Sequence, residues 1–137
     1  MAGRSARKPW WRRWFGTRSE RAAGRFLRRA GFRIVAWNVN TPYGEIDLVA
    51  IDGRTVVFVE VRSTEDEDVS RAAESVDDRK QSKLTDAALD FLRRRDLLGH
   101  AARFDVLIVS WPPGRREPDV EHHRQAFEAV GRWQPYS

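Results

Sequence analysis

Two apolar runs joined by a turn dipeptide constrain the fold of this sequence more than any other feature. EIDLVAI (Glu45–Ile51) and RTVVFVEVR (Arg54–Arg62) are rich in β-branched residues, and Asp52-Gly53 lies between them. An Asp-Gly pair between two such runs is a strong signal for a β-hairpin. The chain is therefore expected to build a sheet around this hairpin.

Charged residues interrupt both predicted strands. A two-residue turn at Asp52-Gly53 pairs Ile51 with Arg54 and, further along, Glu45 with Glu60. In this register Asp47 and Glu60 are diagonal neighbours, roughly 7–8 Å apart at the backbone. One face then carries Glu45, Asp47, Glu60 and Arg62, and the other face builds core through Ile46, Leu48, Ala50, Val57, Val59 and Val61.

Three carboxylates on one strand face are unfavourable unless something positive lies among them. Either Arg62 centres a structural ion-pair cluster, or the carboxylates hold a divalent cation. The chain has no cysteine and only three histidines, which excludes thiolate sites and leaves little for zinc. Any metal is therefore expected to be a hard cation with oxygen ligands, Mg²⁺ or Mn²⁺.

Flanking patterns predict a mixed α/β architecture with the order α-β-β-β-α-β. A helix is expected from an N-cap at Ser19 to a stop at Gly31, and a second helix over Asp77–Arg95. Strands are expected at Arg33–Asn38 and Arg103–Trp111, with Arg103 pairing with Asp105. The segment REPDVEHHRQAFEAV, residues 116–130, is ambiguous between a strand and a short helix, and His122-His123 stay without a role.

Residues 1–18 are expected to form a flexible basic-aromatic arm, followed by a single domain at 19–137. The arm is either a disordered tail, a nucleic-acid contact in which residues such as Arg12 and Arg13 meet phosphates, or a membrane-interface contact. The six basic residues that precede Glu20 account for the net charge of +5. The rest of the chain is near neutral, so the charge alone is weak support for nucleic-acid binding.

No segment is apolar and long enough to span a membrane, and the N-terminus lacks the apolar core of a secretion signal. The expected compartment is therefore the cytoplasm.

The spacing of Asp47, Glu60 and Arg62 resembles the PD-(D/E)XK nuclease superfamily, with Glu60-Val61-Arg62 as its E-x-K element. The chain resembles the YraN-like family of small bacterial proteins more closely. The matching segments are SERAAGRFLRRAGF, NVNTPYGEIDLVAIDG, VVFVEVR, DDRKQSKL and RFDV. Archaeal Holliday junction resolvases are similar at a greater distance.

The resemblance implies a restriction-endonuclease-like fold with a mixed central sheet flanked by helices. It implies Asp47 and Glu60 as catalytic metal ligands, the Val61 carbonyl as a further ligand, and Glu20 as an acid on the first helix. Arg62 departs from the lysine that active nucleases usually carry. Arginine keeps the positive charge but cannot deprotonate to act as a base.

A polar cluster opens the second helix and resembles the border of the site in these folds. Its members are Arg79, Lys80, Gln81 and Lys83. They are expected to contact phosphates, with a solvated helix face as the alternative.

These observations predict a metal-dependent nuclease or nuclease-derived protein that acts on DNA. A non-catalytic nucleic-acid-binding module is the second hypothesis, and a protein–protein adaptor is the third. Nucleic acid, with DNA first, is the expected partner. No membrane partner is expected, and a homodimer is left open.

Overall fold

Two helices pack on the two faces of one five-stranded sheet. The computed structural model describes residues 18–64 and 77–127 of the 137-residue chain. The elements are α1 (Arg18–Arg29), β1 (Arg33–Thr41), β2 (Gly44–Asp52), β3 (Thr55–Thr64), α2 (Asp78–Arg94), β4 (Ala102–Ser110) and β5 (Asp119–Phe127). The strand order is β1-β2-β3-β4-β5; β3 and β4 are parallel and all other neighbours are antiparallel. The predicted mixed α/β class is confirmed.

Both predicted helices form, although one predicted cap is wrong. Asp77 caps α2, since its side chain accepts a hydrogen bond from the Lys80 N–H at 2.9 Å. Helix α1 begins at Arg18, so Ser19 lies inside it and is not the N-cap. The Ser19 hydroxyl instead donates to Oγ of Ser63 at 2.8 Å, a contact between α1 and β3 that local sequence could not reveal.

The hairpin forms in a register that differs from the prediction by two residues. Ile51 pairs with Val56, and the turn residues are Gly53 and Arg54 rather than Asp52 and Gly53. Gly53 has a φ of +63°. A positive φ at the first central position is expected for a type II′ turn, where glycine is favoured. The turn therefore follows the glycine, and Asp52 belongs to the strand.

This register changes which charged residues oppose each other. Continued past Leu48, which pairs with Val59, it places Asp47 opposite Glu60. The predicted Glu45–Glu60 pair is therefore wrong. A shift of two residues leaves the faces unchanged in the paired stretch from Leu48 to Asp52, because side chains alternate with a period of two. Asp47 and Glu60 consequently remain on one face and come closer together than predicted.

A hydrophobic core lies on each side of the sheet. The α1 side holds Ala22, Ala23, Leu27, Phe32, Leu48, Ala50, Val57, Val59, Leu107 and Val109. The α2 side is centred on Val49, Val56, Phe58, Leu84, Phe91, Phe104, Ile108 and Phe127. Ile46 packs in the α2-side core, so the prediction that it shares a face with Leu48 and Ala50 is wrong. Ile46 and Leu48 lie on opposite sides of the sheet, so the alternation of side chains along β2 is interrupted next to Asp47.

Within the ambiguous segment, Asp119–Phe127 form strand β5, and a buried charge cluster holds this strand against β4. Asp105 is fully buried, and its carboxylate accepts hydrogen bonds from Nε of Arg103 at 2.9 Å and from the Gln125 N–H at 3.0 Å. Nε2 of His122 lies 2.7 Å from the same carboxylate. The predicted Arg103–Asp105 pair is therefore confirmed, and His122 gains a structural partner.

Among residues 18–64 and 77–127, no helix is long and apolar enough to cross a bilayer. The proposed arm, with Arg12 and Arg13, lies outside the described residues apart from Arg18, which is the first residue of α1.

Candidate functional site

Asp47 and Glu60 are in contact on neighbouring strands. Their side chains share a hydrogen bond, and both residues are buried, with exposed fractions of 9% and 6%. Oδ2 of Asp47 also accepts a hydrogen bond from the Val61 N–H at 2.9 Å. A carboxylate thus binds a strand N–H next to the point where the β2–β3 pairing ends. The geometry joins residues 47, 60 and 61, the three positions that the sequence singled out for a metal.

Two cations approach Glu60 from different elements. Nη2 of Arg62, on the same strand, lies 3.4 Å from Oε2 of Glu60, and Nζ of Lys80, in the first turn of α2, lies 3.6 Å from the same oxygen. Both cationic side chains are partly exposed, at 28% and 39%. The sequence pattern predicts a phosphate contact for Lys80 but does not reveal its contact with the carboxylate, because helix α2 is far from Glu60 in sequence.

The electrostatics of this centre favour a protonated Glu60. Burial is the largest cause and the Asp47 carboxylate the next, and together they raise the pKa of Glu60 from 4.5 to about 7. Lys80 and Arg62 oppose the shift because they stabilise the ionised form. Near neutral pH, Glu60 is therefore about half protonated, and a cation could replace its proton.

The donor set fits a divalent ion with oxygen ligands. Among the described residues, no three His, Cys, Asp or Glu side chains form a group that could hold a metal. Asp47, Glu60 and the Val61 carbonyl would be the protein ligands, and water or substrate oxygens would complete the shell. Mg²⁺ commonly keeps several waters and uses one or two carboxylates.

Glu20 lies near this centre but on the other side of the sheet. It is buried in the first turn of α1, next to Ser19, which contacts Ser63 near the end of β3. Among the described residues, the groups that shift the pKa of Glu60 are Asp47, Lys80 and Arg62. The structure places Glu20 in α1 beside the end of β3, and its role as an acid of the site stays a prediction.

The other residues predicted to contact phosphates also lie in the first turns of α2. Arg79 and Lys83 are exposed and Gln81 is half-buried. The Gln81 N–H donates to the Asp77 carbonyl at 2.9 Å, as part of the helix start. Of the four predicted phosphate contacts, Lys80 contacts Glu60, with Nζ 3.6 Å from Oε2.

A polar network connects α1 to the ends of β3 and β4. The sequence pattern does not reveal it. Nε1 of Trp111 donates to Oγ of Ser19 at 2.8 Å, and Ser19 donates to Ser63. The guanidinium of Arg18 lies 3.8 Å from the centre of a Trp111 ring, a cation–π contact. No periodic pattern marks these residues, because their contacts join segments distant in sequence.

The open mixed sheet, its flanking helices and the paired carboxylates define a mixed α/β protein compatible with the restriction-endonuclease-like fold. The chain belongs to the uncharacterised protein family UPF0102, whose sequence profile matches residues 19–109. This confirms the YraN-like resemblance.

Relatives in other bacteria match most of the chain. A UPF0102 protein of Rhodopirellula baltica is 44% identical over 119 residues, which cover 85% of this chain and 71% of the relative. One of Desulfosudis oleivorans is 42% identical over 118 residues, or 86% and 93% of the two chains. One of Pelotomaculum thermopropionicum is 39% identical over 116 residues, or 85% and 97%.

Proposed function

We propose that this protein is a metal-dependent phosphodiester hydrolase of the nuclease type that acts on DNA in the cytoplasm. The observation that carries the proposal is the buried contact between Asp47 and Glu60, with Arg62 and Lys80 beside it. Two adjacent buried carboxylates are unfavourable for folding unless a proton or cation lies between them. A divalent ion bound here would stabilise the carboxylate pair and would be available for chemistry on a phosphate.

Asp47, Glu60 and the Val61 carbonyl would hold Mg²⁺ or Mn²⁺. When bound, such an ion supplies charge stabilisation at the phosphate and a more acidic water. The Val61 N–H orients the Asp47 carboxylate toward Glu60. Because the pKa of Glu60 is about 7, this residue gives up its proton readily near neutral pH.

Arg62 and Lys80 supply the positive charge for a phosphate. The Arg62 guanidinium stays charged, so it acts by stabilising negative charge that develops on the phosphate. The Lys80 ammonium is a partly exposed point charge next to Glu60, and it adds a second phosphate contact. Arg79 and Lys83, exposed on the same helix, extend this basic border.

A non-catalytic nucleic-acid-binding module is the second candidate. It is favoured by the observation that Arg62 and Lys80 both contact Oε2 of Glu60. These two cations can balance the carboxylate pair without a metal. In that case the centre is an ion-pair cluster that keeps basic side chains in place for binding.

A cleavage assay on the full-length protein separates the two candidates. The protein is incubated with Mg²⁺ or Mn²⁺ and a panel of duplex, single-stranded and branched DNAs. Glu60→Gln and Asp47→Asn should abolish cleavage. Asp86→Asn, which removes an exposed acid elsewhere on α2, should cleave like the wild type. DNA binding without cleavage of any substrate would reject the hydrolase and support the binding module.

A further inference from the structure

Helix α1 presents an exposed face made of arginines. Arg18, Arg21, Arg25 and Arg28 recur at spacings of three and four residues, and each of them is exposed. That spacing places them along one side of the helix. The opposite side, with Ala22, Ala23 and Leu27, is buried against the sheet. We name the four arginines the α1 arginine face.

This face is unfavourable for the stability of the helix. Like charges three or four residues apart repel each other. Arg18 and Arg21 also lie at the N-terminal end, where the helix dipole disfavours positive charge. The one acidic residue of α1, Glu20, is buried, so it is not part of the exposed face. Arg28 lies in the last turn, where the dipole favours positive charge, and the face as a whole presents four positive charges to solvent.

Helix α2 lacks this segregation. Its exposed or partly exposed side chains have both signs, and Nε of Arg94 pairs with Asp90 at 3.0 Å. The near-neutral charge of the chain beyond the first residues therefore conceals an uneven distribution. Positive charge accumulates on the α1 arginine face.

The α1 arginine face lies on the α1 side of the sheet, and the N-terminal end of the helix contacts the strand that carries Glu60. Arg18 lies on Trp111, and Ser19 binds Ser63, three residues beyond Glu60 on β3. From Arg18 to Arg28 the helix rises about 15 Å. This length corresponds to about four nucleotides along one strand of a duplex.

We propose that the α1 arginine face binds the sugar-phosphate backbone of a nucleic acid. The choice of a nucleic acid as the partner rests on the proposed function. The positive charge of the surface is independent of that proposal. Guanidinium groups match phosphate oxygens in geometry and charge. An anionic membrane is disfavoured, because the large apolar side chains that an interfacial helix would insert face the sheet in α1.

The test compares two double variants of equal net charge. Arg25→Gln/Arg28→Gln removes two charges from the α1 arginine face. Arg93→Gln/Arg94→Gln removes two exposed charges from the last turn of α2, about 20 Å along the helix from Lys80. Binding of a fluorescent duplex is measured by anisotropy in EDTA at several salt concentrations. Cleavage therefore does not enter the measurement.

The α1 variant should bind on the order of tens of times more weakly near 0.1 M salt, with a salt slope reduced by about two. The α2 variant should stay within about twofold of the wild type. Equal weakening of both variants, or unchanged binding by the α1 variant, would overturn the proposal. A lower melting temperature with unchanged DNA affinity would also overturn it, and would assign the arginines to stability.

Two further arms separate this inference from the others. Vesicles containing phosphatidylserine should bind weakly, and α1-dependent binding to vesicles without binding to DNA would replace nucleic acid by a membrane. Asp86→Asn, which changes an exposed acid outside the candidate site, should keep the DNA affinity of the wild type in EDTA. If the wild type never cleaves but the α1 variant loses affinity, the hydrolase fails while the α1 arginine face stands.

Discussion

Oδ2 of Asp47 accepts a hydrogen bond from the Val61 N–H at 2.9 Å, in the position where a strand carbonyl would normally accept. The backbone pairing between β2 and β3 reaches Leu48 and Val59 and gives way to this side-chain contact. The contact fixes the Asp47 carboxylate against Glu60. At this end of the hairpin, a contact that holds the two acids together therefore replaces further backbone pairing between β2 and β3.

Divalent metal should stabilise the protein through this pair. A ligand that binds the native state at about 100 times its Kd adds about 2.7 kcal/mol. Adding Mn²⁺ should therefore raise the melting temperature of the wild type by several degrees. Asp47→Asn should lose this rise, whereas Asp86→Asn should retain it. A melting temperature of the wild type that does not respond to Mn²⁺ or Mg²⁺ would contradict the metal site.

Stability should fall as the pH rises through the range between the unfolded and folded pKa values of Glu60. The folded pKa is about 7, against 4.5 for a glutamate in water. The native state therefore binds more protons than the unfolded state between these values, and its stability decreases across this window. Relative to Glu60→Gln, the wild type should lose on the order of 2–3 kcal/mol from pH 4.5 to pH 8. Urea unfolding in EDTA measures the difference.

Lys80 provides the control for this pH dependence. Its positive charge lowers the pKa of Glu60, so Lys80→Gln should move the upper end of the window to higher pH. Lys83→Gln, which changes an exposed lysine on the same helix, should leave the window in place. A window that responds equally to both variants would show that the local Lys80–Glu60 contact does not set the pKa.

The sequence predicted the sheet, both helices and the shared face of Asp47 and Glu60, because these depend on local periodicity and strand alternation. The hairpin register was wrong by two residues. Asp-Gly is compatible with more than one turn placement, and the positive φ of Gly53 selects the turn that begins at the glycine. Apart from Ile46, the residues lie on the predicted faces, because a register difference of two residues does not change which face a side chain is on.

Long-range contacts limited the rest of the prediction. Lys80 reaches Glu60 only through the packing of α2, and Ser19 reaches Ser63 and Trp111 only through the packing of α1. The strand that contains His122 was ambiguous because its stability comes from contacts with β4. Such contacts join elements whose separation in space is not encoded in any short segment.

Arg62 should contribute to any cleavage through its charge. It lies 3.4 Å from Glu60 and is partly exposed, so it can meet a phosphate bound at this centre. Arg62→Lys should therefore retain or improve cleavage, and Arg62→Ala should lower kcat by about two to three orders of magnitude. Single-turnover cleavage with excess protein measures the effect. If only Arg62→Lys cleaves, the wild type is a nuclease scaffold that lacks its lysine; equal rates for Arg62→Lys and Arg62→Ala would contradict a role for the charge.

Asp105 should be a major determinant of stability and of acid sensitivity. Burial would raise the pKa of Asp105, but the hydrogen bonds from His122, Arg103 and the Gln125 N–H outweigh it and lower the pKa below 3.8. The stabilisation that Asp105 provides is therefore present above pH 3.8 and is lost as the pH falls through its folded pKa. Asp105→Ala leaves His122 and the Gln125 N–H without this carboxylate, whereas Arg103 keeps an ion pair with Asp52, whose Oδ2 lies 2.9 Å from Nη2.

Removing one member of a buried ion pair typically costs about 3–5 kcal/mol, and we expect Asp105→Ala to lose about that much in urea unfolding at pH 7. Asp119→Ala is the matched control, because its ion pair with Arg115 is exposed, with side-chain fractions of 61% and 53%. An exposed pair contributes about 1 kcal/mol or less. If the two variants lost similar amounts, the cluster around Asp105 would not be what fastens β5 to the sheet.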